Sequence, residues 1–182
     1  MTQRRPRLAI GLAGCVLAQS LAGCGPAADV PSGTVVDRAD ILPAEVEAAL
    51  DQRLRDYHAA SGNTVVVVSV PSLDGKTIER YAFGLFNEWG IGDAKTGRGL
   101  LLLVAPTESK IRIEVGCGLE GVITDEEAAK VIRDDIIPRF KRGDMPGGTI
   151  AGVDALIEEL AEPPLSAAPV SPICKANMKE AA

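Results

Sequence analysis

Four carboxylates stand in loops or at the ends of expected elements: Asp37, Asp40, Glu120 and Asp125. Calcium and related divalent cations take oxygen ligands of this kind. Asp37, Glu120 and Asp125 form the candidate metal set, on the condition that Asp37 lies at a sheet edge beside the loop that carries Glu120. Asp125 also has a purely structural role open to it, because an acid in the first turn of a helix is favoured by the helix dipole. The run Gly116-Cys117-Gly118-Leu119-Glu120-Gly121 matches G-x-G-x-x-G. A dinucleotide site needs that run between a parallel strand and the helix it opens, with a ribose-binding acid further on. Here the preceding strand has an exposed face and the helix starts only after Thr124, so the glycines are expected to serve positive φ and close packing. No nucleotide cofactor is expected. His58 is the only histidine. It falls near the end of an amphipathic helix, with no hydrolase signature around it. No His/Cys group has zinc spacing, and no phosphatase nucleophile motif occurs. The catalytic residues therefore stay unassigned, and Arg112 and Arg133 are expected in structural ion pairs.

The chain has four cysteines. Arg4, Arg5 and Arg7 precede an apolar run from Leu8 to Leu21, too short for a membrane span of about 20 apolar residues. This pattern is that of an export signal. Leu21-Ala22-Gly23-Cys24 has the form of a bacterial lipobox, in which the cysteine takes the lipid and becomes the mature N-terminus. An earlier copy, Leu12-Ala13-Gly14-Cys15, leaves too short an apolar run before it. Residues 1–24 are thus read as a lipoprotein signal peptide, with Cys24 the lipidation site. Cys117 and Cys174 remain after processing. They could pair in an oxidising compartment; with Cys174 in a tail that lacks a core pattern, two free thiols are expected.

The elements that must position these residues follow from periodicity. Residues 25–33 form a Pro/Gly/Ala linker. Thr34 to Ile41 enters the fold. Pro43 opens a helix, where its missing N–H costs nothing, and Gly62 stops it. Val65 to Val70 is a continuous β-branched run, expected to be a strand buried on both faces. Ile78, Tyr81, Ala82, Leu85, Phe86 and Trp89 share one face of a second helix. Leu100 to Val104 forms a second buried strand, parallel to the first through a right-handed crossover. Lys110 to Val115 alternates apolar and charged residues, so it has one exposed face and returns antiparallel. Thr124 to Glu127 reads as a capping box opening a helix that Pro138 bends. A last helix runs from about Gly148 to Ala161. Residues 162–182 are a Pro/Ala-rich tail expected to be disordered. The result is one α/β domain over 34–161, a small mixed β-sheet with helices on both faces.

Composition narrows the function classes. Aromatic residues make up only 3% of the chain, too few for a base-stacking platform. Loss of residues 1–24 removes three arginines and no acid, which deepens the net charge from −6 to −9. Such a surface repels phosphate backbones, so nucleic acid is not an expected partner.

Val35-Val36-Asp37, Phe86-Asn87-Glu88-Trp89-Gly90-Ile91-Gly92, Leu100 to Ala105, Arg112-Ile113-Glu114-Val115-Gly116 and Gly118-Leu119-Glu120-Gly121 together resemble the signatures of the TPM domain family. Ile132-Arg133-Asp134, Ile137-Pro138-Arg139-Phe140 and Gly143-Asp144 continue the match in order. The resemblance implies an exported or lumenal domain. One branch of the family works in the thylakoid lumen in photosystem repair and is described as an acid phosphatase, and some members bind divalent cations such as calcium. For this chain it implies an envelope module, periplasmic or cell-surface, with a protein partner, a membrane contact through the lipid and divalent-cation binding. A weak metal-assisted acid phosphatase is the alternative. Two departures stand out. Members often carry Tyr where Cys117 stands, and many have an acidic-Asn-Gly run where this chain has Gly97-Arg98-Gly99. If that acid is a metal ligand in the family, one ligand is missing here.

Lipidation at Cys24 predicts a diacylglyceryl mass on that residue in membrane fractions, and release of a Cys24→Ser variant into the soluble fraction. A mature N-terminus elsewhere, with an unmodified Cys24, contradicts it.

Overall fold

The run of β-branched residues and the run of leucines set the architecture. A strand alternates its side chains between two faces, and in both runs each face is apolar. The computed structural model describes residues 33–161. In it Thr64–Ser69 (β2) and Gly99–Ala105 (β3) pair in parallel, Val65 opposite Leu100 and Val68 opposite Leu103. Val35–Asp37 (β1) adds in parallel to the free edge of β2, with Asp37 opposite Ser69. Lys110–Val115 (β4) pairs antiparallel with β3, Ile113 opposite Leu102. The sheet order is β1-β2-β3-β4. The mixed sheet is as expected, and β1 extends it by a strand.

Helices cover both faces. Val65, Val67, Leu100, Leu102 and Val104 pack with Leu50 and Leu54 of α1 (Ala44–Ser61) and with Val153 and Leu156 of α5 (Met145–Ala161). Val66, Val68, Leu101 and Leu103 pack with Ile78, Ala82 and Leu85 of α2 (Ile78–Glu88). Tyr81, Phe86 and Trp89 join that second cluster half-buried. The strands β1, β2 and β3 advance in one direction across the sheet, while α1 and α2 lie on opposite faces. The two crossovers therefore have opposite hands, and one of them departs from the right-handed rule.

The local signals act as their chemistry dictates. Pro43 caps α1, and Gly62 ends it in the left-handed region at φ 73°. Thr124 accepts from the Glu127 N–H while the Glu127 carboxylate accepts from the Thr124 N–H, a complete capping box at the start of α3 (Asp125–Lys130). Pro138 has no N–H to donate, and the turn before it widens into a π-helical segment, Val131–Ile136, which leads into α4 (Ile137–Phe140). The bend expected at Pro138 is taken up there. Helix α5 starts at Met145, earlier than expected, because Asp144 accepts the Gly147 N–H at 2.8 Å and caps the first turn. Among the described residues no helix is long and apolar enough to cross a membrane. The signal peptide, most of the linker and the tail fall outside the described residues.

Asp51 ties α1 to the start of β1. Its Oδ1 accepts from the Thr34 N–H at 2.6 Å and the Thr34 hydroxyl at 2.8 Å, and its carboxylate pairs with Arg55. Burial alone would raise its pKa, but the Thr34 hydrogen bonds and the Arg55 charge outweigh it and hold the carboxyl below 3.8. A depressed native pKa means that the unfolded state binds more protons in acid. The stability from Asp51 is therefore complete above pH ~4 and is lost as pH falls through the native value. Thermal melts from pH 7 to 2 should show a shallower acid limb in Asp51→Asn than in the wild type, and a lower melting temperature at neutral pH. Parallel acid limbs would mean that the contact is not formed.

Candidate functional site

Asp37 ends β1 at the carboxyl end of the parallel strands, where open α/β sheets collect ligands. Its carboxylate accepts from the Ile41 N–H at 3.2 Å and the Leu42 N–H at 2.7 Å. It also accepts from the Ser69 hydroxyl, and Ser69 Oγ in turn accepts from the Ala39 N–H at 2.9 Å. The acid thus organises the turn that carries the chain from β1 into α1. Within that turn Asp40 sits exposed at φ 53°, an angle that Asp tolerates better than most residues. Arg38 lies 5.4 Å from the centroid of the Trp89 ring, a cation–π contact across the rim of the sheet.

The glycine-rich loop is at the other end. Gly116 follows β4 and donates its N–H to the Gly99 carbonyl at 2.8 Å, and Gly118 donates to Gly97 at 3.0 Å. A Cβ at Gly116 would stand 2.4 Å from the Gly97 carbonyl oxygen, and one at Gly118 would stand 2.0 Å from that of Thr96. These glycines let two backbones touch, and their N–H groups are spent on that contact. The expected close packing is present. The expected positive φ is not at Gly116, Gly118 or Gly121; it falls on the facing loop, at Gly92 (97°) and Gly97 (62°). Arg98, in the run that departs from the family pattern, donates from Nε to Asn63 Oδ1 at 2.7 Å. The buried Asn63 also donates to the Tyr57 hydroxyl at 3.0 Å. Arg98 therefore ties this loop to the end of α1.

The candidate acids do not meet. Register places Asp37 level with Ser69, Val104 and Ile111, whereas the glycine loop follows Val115, opposite Leu100. Asp37 and the loop lie at opposite ends and opposite edges of the sheet. Three strand spacings of about 4.8 Å and several residues of about 3.3 Å separate them, on the order of 20 Å in all. Glu120 and Asp125 stay at the loop end, with Asp125 exposed in the first turn of α3. The condition that joined Asp37 to Glu120 and Asp125 is not met, and one ion cannot bridge all three. Among the described residues no group of three or more His, Cys, Asp or Glu side chains is placed to hold a metal ion.

Three further expectations can be placed. His58 is exposed at the end of α1, with Nδ1 3.2 Å from the Asn63 carbonyl oxygen. Arg112 pairs with Glu114 at 3.0 Å, and Arg133 with Asp134 at 2.9 Å, as structural ion pairs. The free-thiol expectation for Cys117 is overturned: Cys117 is disulfide-bonded. The absence of a core pattern around Cys174 carried that expectation, and periodicity says nothing about oxidation. Cys117 also lines a groove of about 240 Å³ between the end of α2 and the two glycine loops, with Phe86, Ile91 and Asp93. Periodicity did not single out this groove, although the density of glycines at 90, 92, 97, 116 and 118 was its one signal. Ser69 and Asn63 were missed as well, because each is a lone polar residue beside an apolar run.

The family model for the TPM domain (TPM_phosphatase) matches residues 35–159. This chain belongs to the TPM domain family. The N-terminal domain of a Porphyromonas gingivalis protein, solved by NMR, is 32% identical, with a TM-score of 0.65 over 70% of this chain and 81% of that one. The BA42 protein of the psychrophilic bacterium Bizionia argentinensis is 24% identical, with a TM-score of 0.58 over 68% and 83%. The N-terminal domain of a Corynebacterium glutamicum protein is 18% identical, with a TM-score of 0.56 over 76% and 85%. The last two similarities concern the fold alone. A search among curated proteins gave no match.

The hydrogen bonds at the β1 end of this TPM domain give Asp37 a structural task. Asp37→Ala removes the acceptor for two N–H groups and one hydroxyl, and should cost about 1–3 kcal/mol. Denaturant melts should show the same loss with calcium and with chelator. A loss that appears only when calcium is present would instead make Asp37 a ligand.

Proposed function

We propose that this TPM domain is an exported, lipid-anchored binding module of the bacterial envelope, serving assembly or repair of a membrane complex and not catalysis. The observation that carries this is the use made of the polar side chains. Asp37, Ser69, Asn63, Arg98 and Glu127 each hold a turn, a loop or a helix cap. A hydrolase needs a nucleophile and a base aimed at a shared point. Export and anchoring rest on Leu21-Ala22-Gly23-Cys24 and on the short linker before the domain. The envelope partner is a protein, reached across the membrane surface from the lipid.

A divalent cation such as Ca²⁺ would be a supporting ligand in this role. Glu120 and Asp125 are the acids that would meet it, with backbone carbonyls and water completing the shell. The second reading, a metal-assisted acid phosphatase, is carried by the family's description.

The exported chain should not hydrolyse a generic phosphate monoester above the rate without protein, at pH 5 or pH 7, with calcium or magnesium added. Turnover abolished by Asp125→Asn would overturn the binding-module reading in favour of the phosphatase. Calcium should raise the melting temperature of the wild type, since a ligand of the native state stabilises it by mass action, and Asp125→Asn should reduce that rise. A melting temperature indifferent to calcium removes the cation from the proposal.

A further inference from the structure

We propose that Cys117 is bonded to Cys174, and that this bond staples the C-terminal segment, residues 162–182, into the glycine-lined groove. Cys117 is disulfide-bonded, and the other cysteines of the chain are Cys15, Cys24 and Cys174. The choice among them rests on the export reading above. Cys15 leaves with the signal peptide, and the Cys24 sulfur is consumed by the lipid thioether. Cys174 is the thiol that remains.

Reach allows the pairing. Thirteen residues lead from Ala161 to Cys174, and an extended chain of that length spans up to about 45 Å. A domain of this size has a radius of gyration of only about 14 Å. Helix α5 starts beside Val104 and Ala105 and passes Leu102 at Gly152, so it runs toward the end of β3 that carries the glycine loops, and the segment has the length to reach the groove from there.

The groove suits this occupant. Phe86, Ile91 and Ala94 supply apolar walls, and Gly90, where a Cβ would meet open space, leaves its backbone bare beside them. The segment around Cys174 reads Pro169-Val170-Ser171-Pro172-Ile173-Cys174-Lys175. Proline disfavours helix at itself and at the residue before it, so this composition favours an extended run. Val170 and Ile173 match the apolar walls, and Lys175 brings a positive charge to the rim that carries Asp93. The bond forms by thiol–disulfide exchange. The two thiols lose two electrons and two protons to a disulfide-donor protein of the oxidising envelope, which leaves as a dithiol. Reduction reverses the step and frees the two thiols.

The full chain, exported and purified from membranes, tests this by non-reducing digestion and mass spectrometry together with amide hydrogen exchange. The expected result is a peptide pair joining Cys117 to Cys174 that separates on reduction. Amides of residues 90–97 and 116–118 should exchange at least about 10-fold faster in Cys174→Ser, in Cys117→Ser and in the reduced wild type than in the oxidised wild type. A free Cys117, or a bond from it to another molecule, overturns the proposal. A Cys117–Cys174 bond with unchanged exchange in the groove overturns the seating of the segment there. The same digest reports the lipid on Cys24. Lipidated Cys24 with free Cys117 defeats the staple alone, whereas unmodified Cys24 bonded to Cys117 defeats both the staple and the anchoring.

Discussion

Burial of β2 and β3 on both faces is the constraint on which this domain depends. Every residue from Val65 to Val70 and from Gly99 to Ala105 is buried, and neither strand offers a polar face to water. Each must be covered twice. Helices α1 and α5 cover one side and α2 the other. A fully buried leucine such as Leu102 is worth about 2–5 kcal/mol against its alanine variant, a large share of the stability of a small domain. With α1 on one face and α2 on the other, the two consecutive connections differ in hand.

The second feature follows from the first. The β3 strand can be reached from α2 only through the loop 90–98, and β4 leaves through the loop 116–123. The two loops meet at the same end of the sheet, closely enough that a Cβ on Gly118 would stand 2.0 Å from the Thr96 carbonyl oxygen. Glycine is the one residue that fits there. The G-x-G-x-x-G run is thus a product of that close approach. The N–H groups of Gly116 and Gly118 bond the carbonyls of Gly99 and Gly97, and a phosphate-binding turn would have to leave them free.

Functional groups in this fold are shared between holding and acting. Asp37 occupies the place where α/β sheets gather ligands, yet its oxygens are taken by the turn into α1. Arg98 carries a charge beside the glycine loops, and it bonds Asn63. The groove beside Cys117 differs in kind, since backbone glycines and half-buried apolar side chains line it and most of its hydrogen-bonding groups are already paired. A surface of that sort recognises shape and an extended backbone better than it stabilises a developing charge.

The amino-acid sequence determined the elements and their class. Val65 to Val70 and Leu100 to Val104 lack a polar face, so they could only be central strands. Pro43, Gly62 and the Thr124–Glu127 box act through their own backbone chemistry, and each is found where that chemistry places it. The family was legible for the same reason, because its signatures are strand ends and turns in fixed order. Tertiary structure alone decided what came together. Asp37 and Asp125 look alike as loop acids, but register sends one to the carboxyl end of β1 and the other beyond the far end of β4. Ser69 and Asn63 gained their roles from partners distant in the chain. The oxidation of Cys117 left no trace in periodicity, since a disulfide depends on which atoms meet in space and on the compartment, and hydrophobic patterning records neither.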